Sequence, residues 1–299
     1  MRQRLEYIGV VIARAVTSVL PYPVLWLCGT SLGYLFYLLD GAHRRVASEN
    51  LAAAFPRRTR SERQAIVRAV FAHFGRLLFE FLKFSTLSPE QILERVEFDG
   101  EERVRLAYGL GKGVLFITGH FGFWELHAVA HPLRFEPIGV LARTLDNSRL
   151  NTLLEEIRQR TGNVVVYRQG SIRKVMRMMA DKHGVAILID QHISGADAVS
   201  VEFFERPAAT TSAVAAMALR TGAPVVPVFA LPLGKGRYRL IYEHPVEPPA
   251  TGSEDAVREF TQRCTDVLEM YVRRHPDLWL WMHRRWREPS GGADDHFLP

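Results

Sequence analysis

The sequence predicts an α/β protein: a mostly parallel central sheet with helices on both faces, preceded by an N-terminal helical segment that associates with a membrane. Three observations carry this. From residue 96 onward, short apolar runs alternate with stretches of helical periodicity, the pattern of strand–helix–strand crossovers. Two of those runs, 114–118 and 185–189, end abruptly in Gly119-His120 and Asp190-Gln191, as buried strands do at the lip of an open sheet. Residues 8–39 are apolar, broken only by Arg14 and by Pro21 and Pro23.

The elements follow in order. Residues 24–39 carry no charge, a run slightly short of the ~20 residues that cross a bilayer. A small-residue cleavage site is missing, so a removed signal peptide is not expected. A tilted span, a hairpin dipping into one leaflet and a soluble helix packed on the core all remain open. Tyr22, Trp26, Tyr34 and Tyr37 suit a bilayer interface. Asp40-Gly41 stops the run. A helix begins at Arg44-Arg45 and ends near Phe55-Pro56, and a polar turn leads into a helix over 61–83. There Ile66, Val67, Val70, Phe71, Phe74, Leu77, Leu78 and Phe81 recur at helical spacing and mark a core-facing stripe. Strands are expected at 114–118, 138–141, 164–167, 185–189, 225–229 and 238–241. Helices are expected at 100–108, 123–131, 147–160, 171–182, 211–221 and 254–274, the one at 211 capped by Thr210 or Thr211. Residues 1–40 thus form an apolar anchor, 41–288 a single α/β domain and 289–299 a disordered tail.

Composition narrows the partners. The net charge of +6 suits an anionic one: nucleic acid, an anionic membrane surface or an acidic protein. The two cysteines, Cys28 and Cys264, imply neither a disulfide framework nor a cysteine zinc site. His127 and His131 stand i, i+4, but H-E-x-x-H is absent and Pro132 ends the helix, so no metal is expected.

The chemistry concentrates at His120. Histidine takes a proton near neutral pH, and a carboxylate on its other nitrogen would fix the tautomer and steady the imidazolium. Glu125, five residues on, is the first candidate for that carboxylate. Gly119 and Gly122 let backbone and substrate approach, and amides at the start of the following helix are candidate oxyanion donors. Arg143 ends the next strand and Arg158 lies on the helix after it, where both can grip phosphate; a solvated face is the other reading of Arg158. Asp190 and Gln191 end a second strand pointing the same way, where Asp190 can orient His120, bind an acceptor hydroxyl or merely cap a loop. Near the C-terminus Trp279, Trp281, Arg284, Arg285 and Trp286 interleave rings and guanidiniums, as a membrane interface favours. No nucleic-acid module accompanies them, and no nucleic-acid partner is expected.

Together these pieces resemble the late acyltransferases of bacterial lipid A biosynthesis, the lauroyl/myristoyl transferase family, within the wider H-x4-D/E glycerolipid acyltransferase superfamily. Five stretches carry the resemblance in order: the apolar N-terminus; Arg44-Arg45 with Asn50-Leu51; Gly119-His120 through Glu125; Asp190-Gln191 with Phe203-Phe204 and Pro207 to Thr210; and Trp279 to Trp286. They cover residues 5–287. The resemblance implies a protein of the bacterial inner membrane with its active site at the cytoplasmic face. It would move a fatty acyl group from acyl carrier protein, or in some relatives acyl-coenzyme A, to a hydroxyl of a lipid A precursor, with no cofactor beyond that co-substrate. His120 would be the general base, Glu125 its partner, Arg158 a phosphate-binding position and Asp190 a second acid. Arg44 and Arg45 join the C-terminal tryptophans and arginines as the lipid interface. Glu125 stands where many of the wider superfamily carry aspartate. Related members acylate other lipids, so a lysophospholipid, glycolipid or amino-acid lipid acceptor stays open, as do a lipid hydrolase and a non-enzymatic membrane-surface module.

Overall fold

A seven-stranded sheet organises the molecule, here a computed structural model that describes residues 1–167, 170–250, 253 and 255–286. Its strands are β1 (Val96–Asp99), β2 (Val114–Thr118), β3 (Ile138–Ala142), β4 (Val164–Tyr167), β5 (Gly184–Leu188), β8 (Val225–Gly234) and β9 (Arg237–Tyr242), in the order β1-β9-β8-β2-β5-β3-β4. The pairs β8–β2, β2–β5, β5–β3 and β3–β4 are parallel, and only β8–β9 is antiparallel. The C-terminal ends of β2, β5, β3 and β4 therefore share one edge, where open α/β sheets place their sites. A separate hairpin, β6 (Ala198–Phe203) and β7 (Arg206–Thr211), lies between β5 and β8 in the chain.

The central strands β2, β5 and β8 bury both faces. In β2, Val114 and Phe116 join one apolar cluster while Leu115 and Ile117 join the other. Against the first lie α5 (Pro89–Leu93), α6 (Glu101–Gly109) and α7 (Glu125–Ala130). Against the second lie α3 (Gly41–Ala54), α9 (Ser171–Ala180), α10 (Ala213–Thr221) and α11 (Ala256–Arg274). The long α4 (Arg60–Phe84) serves both, its first half on the second cluster and its last turns on the first. Its start is set by a capping box between Thr59 and Glu62. Asn147 likewise caps α8 (Ser148–Gln159).

The apolar N-terminus forms two helices, α1 (Arg2–Val19) and α2 (Tyr22–Leu39), the second long and apolar enough to cross a membrane. Both pack on α4, but α2 buries only Leu25, Gly29 and Gly33. Trp26, Leu27, Leu35, Leu38 and Leu39 remain 49–74% exposed, so the protein core covers one narrow face of this helix. Close approach makes that face: a Cβ on Gly33 would sit 2.2 Å from the backbone oxygen of Phe71, and one on Gly75 of α4 2.2 Å from that of Gly29.

Several expectations change. Strand β1 and the hairpin β6–β7 went unforeseen. Because β7 runs to Thr211, α10 opens only at Ala213 with Ser212 before it; Thr211 still accepts from the Ala213 N–H through Oγ1 at 3.3 Å, whereas Thr210 does not reach the helix. The expected tail at 289–299 lies outside the described residues.

Candidate active site

Strand register brings His120 and Asp190 together. Thr118 of β2 pairs with Leu188 of β5, and each residue of interest stands two positions beyond. Asp190 Oδ2 accepts from the His120 backbone N–H at 2.7 Å, and Oδ1 lies 2.9 Å from His120 Nδ1. Trp279 Nε1 donates to the same Oδ2 at 2.8 Å. Burial alone would raise the carboxyl pKa, but the facing imidazole and these hydrogen bonds hold Asp190 down at about 2. Ionised, it can only accept, so Nδ1 of His120 carries the proton and Nε2 is left as the basic nitrogen. Burial pulls the His120 pKa down, yet the Asp190 charge and hydrogen bond, with a contribution from Glu125, raise it above the ordinary value. The side chain keeps 19% of its surface exposed, enough for a substrate proton to reach it.

The turn between β2 and α7 admits few residues. Gly122 has φ +57°, and a Cβ there would meet the Ala230 oxygen at 2.1 Å. A Cβ on Gly119 would come within 3.0 Å of Asp190 Oδ2. His73 of α4 reaches the Gly122 carbonyl at 3.3 Å. The Trp124 ring lies 5.2 Å from the His120 ring and leans on Phe74.

Glu125 occupies a different place from the one its spacing suggests. Both its oxygens accept from Arg158, Oε2 from Nε at 3.0 Å and Oε1 from Nη2. The two side chains are only 13–14% exposed, and this fork ties the start of α7 to α8. The direct carboxylate partner of His120 is therefore Asp190, and Glu125 acts on the ring through its field. The amides expected to serve an oxyanion are partly spent as well: the Gly122 N–H donates to Leu278 O and the Phe123 N–H to Ala230 O.

The remaining sequence candidates divide. Arg143 sits just past β3, exposed to solvent, and the Gln191 side chain is also exposed. Trp279, Trp281 and Arg285 are 1%, 0% and 1% exposed, which corrects their assignment to a membrane interface. The tryptophans pack with Phe203 and Phe204. Arg285 donates to Ala209 O and Thr210 Oγ1, and burial brings its pKa down to about 10 against the pull of Asp190. Trp286 is half-buried, donating to Phe203 O, and Arg284 alone of this group is exposed. Asn50 stitches the segment to α3 by donating to the carbonyls of Trp281 and His283. Arg44 caps the end of α2 through Tyr37 O, and Arg45 is exposed one turn into α3. His127 and His131 are buried against Phe116, and no set of three metal-binding side chains occurs among the described residues.

Sequence reasoning missed Trp279 as a support of Asp190 and His73 as a support of the Gly122 turn. The tryptophan stood in a motif already singled out. The histidine sits in an otherwise apolar helix stripe, which was the available signal.

The family described as bacterial lipid A biosynthesis acyltransferase matches residues 1–288. The chain is 26% identical to the lipid A biosynthesis lauroyltransferase of Escherichia coli (strain K12), over 99% of this chain and 95% of that protein. It is 24% identical to the lipid A biosynthesis myristoyltransferase of the same organism, over 84% and 77% of the two chains. It is 23% identical to the palmitoleoyltransferase of that organism, over 93% and 90%.

Proposed function

Because the chain belongs to the bacterial lipid A biosynthesis acyltransferase family and is an O-acyltransferase, we propose that it moves a fatty acyl group from a thioester to a hydroxyl of a lipid A precursor. The donor is acyl carrier protein, or acyl-coenzyme A; the basic chain suits the acidic carrier. The observation that carries the reading is the His120–Asp190 pair at adjacent strand ends.

His120 Nε2 removes the proton of the acceptor hydroxyl. The resulting oxygen attacks the thioester carbonyl, the C–O bond forms, and the C–S bond breaks. The imidazolium returns its proton to the departing thiolate. Asp190 holds the tautomer and the imidazolium, as such carboxylates do without taking the proton themselves. Glu125 adds negative potential at the ring and positions Arg158. With Nε and Nη2 given to Glu125, Arg158 keeps Nη1 for a phosphate or for the thioester oxyanion. A covalent acyl-enzyme is not required. Residues 1–40 anchor the protein on the inner membrane, and 41–288 form the catalytic body facing the cytoplasm.

The test is acyl transfer by the purified full chain. Acyl carrier protein charged with several chain lengths is supplied with a lipid A precursor, with lysophospholipid as a parallel acceptor. Acylated lipid A precursor is expected. Transfer to lysophospholipid alone would move the acceptor, and thioester loss without acylated product would make the protein a hydrolase.

A further inference from the structure

We propose that the pocket between the start of α3 and the start of α4 binds the phosphate of a membrane lipid. Its walls are Gly41, Arg44, Arg45, Ser48, Arg60 and Gln64, around a volume of about 330 Å³. Three arginines from two helices line it, and the lining contains no carboxylate. The nearby acids are engaged elsewhere: Asp40 accepts from the backbone and ring of His43, and Glu62 closes the box with Thr59. Glu49, one turn beyond Arg45, forms no ion pair with it. Arginine forks match phosphate oxygens bidentately, and an excess of such forks without acids is a site for an anion.

The lipid part of the assignment comes from α2. Arg44 Nη1 donates to the carbonyls of Tyr37 and Leu38, which ties the pocket to the end of that helix. At this end Leu35, Leu38 and Leu39 are 50%, 69% and 74% exposed. A phosphate carrying acyl chains satisfies the arginines and covers the apolar strip together; a free anion satisfies only the arginines. Basic residues just beyond an apolar helix hold anionic head groups in this way.

This inference rests on the membrane-facing reading of α2. The detergent-solubilised full chain is titrated with short-chain phosphatidylglycerol and with diacylglycerol of the same chains, binding being followed by native mass spectrometry. In Arg45→Gln/Arg60→Gln, phosphatidylglycerol should bind about 10- to 30-fold more weakly, with diacylglycerol unchanged. Arg45→Lys/Arg60→Lys should recover part of the loss. Both arginines are exposed and unpaired, so folding is not at stake. Unchanged phosphatidylglycerol binding in the glutamine pair overturns the pocket while leaving the α2 reading intact. Failure of both lipids to bind the wild type sinks the α2 reading and the pocket with it. Weaker binding of acyl carrier protein to the glutamine pair, with lipid unaffected, would make the surface a docking site for an acidic protein and end the lipid assignment. Given arginine-dependent binding, displacement of phosphatidylglycerol by a phosphorylated disaccharide lipid would identify the occupant as the substrate's own phosphate. Persistence of the phosphatidylglycerol would identify a bilayer lipid; either result supports the site.

Discussion

Asp190 receives three donors at once, the backbone N–H and Nδ1–H of His120 and the indole N–H of Trp279, and that convergence sets the protonation of the proposed base, His120. The raised His120 pKa has a definite sign: imidazole becomes a base only above it, so kcat/KM should rise with pH along a limb centred above the ordinary ~6.5. Asp190→Asn removes the charge that raises the pKa. The limb should move to lower pH, and the plateau should fall by about 10³- to 10⁴-fold, as when the orienting aspartate of a triad is neutralised. Glu125→Gln should shift the limb in the same direction by less, because its effect on the ring is through space. Trp279→Phe keeps an aromatic ring at this buried site but removes the N–H donor and part of the packing volume; a loss of at least about tenfold is expected, on the scale of one hydrogen bond to a charged group. Pre-steady-state and pH-dependent acyl-transfer kinetics read all three. At this scale the sequence was half legible. His120, Glu125 and Asp190 stood out by type and position, and Arg158 only through the family resemblance. Which carboxylate touches the ring depended on the β2–β5 register, a through-space fact that H-x4-E spacing does not contain.

At the scale of elements, two glycine contacts decide where the working parts sit. Gly122 turns the chain out of β2 with φ +57° against the Ala230 carbonyl. Gly122→Ala combines left-handed strain of about 1–3 kcal/mol with a backbone clash. It should leave far-UV circular dichroism native while strongly reducing turnover, because the turn carries His120. Gly33 lets α2 lie against α4. Gly33→Leu should cost about 1–3 kcal/mol or more by overpacking, read as a lower unfolding midpoint in detergent and as protease access to the 20–40 segment. The strands at 114–118 and 164–167 were legible to the residue because they are short apolar runs between turn signals. The β6–β7 hairpin was not: Arg206-Pro-Ala-Ala-Thr-Thr211 opens on proline and alanine, which strands disfavour, and its two threonines directly precede a helix, so they read as helix approach. The Trp279–Trp286 stretch misled in the opposite way. Tryptophan beside arginine is the composition of an interface, yet Asn50 and the Phe203–Phe204 corner draw it into the core.

Across the whole molecule, exposed apolar side chains gather on α1 and α2, from Leu5 to Leu39. Burying a leucine removes about 1.5–3 kcal/mol of exposed apolar cost, so Leu27→Asp/Leu35→Asp should lower sedimentation with phospholipid vesicles at least about tenfold. Both positions face away from α4's contacts with Gly29 and Gly33, so the folded body should persist. The same apolar helices pack on α4, which in turn supports the Gly122 turn through His73. The N-terminal helices and the candidate site are thus parts of one packed unit.

The most direct test of the central claim is single-turnover acyl transfer from charged acyl carrier protein to a lipid A precursor, comparing the wild-type chain with folded, membrane-bound His120→Ala. Acylated product from the wild type, with a rate lower by at least about 10²- to 10⁴-fold in the variant, is the expected result. Near-normal transfer by His120→Ala would contradict the assignment of His120 as the base.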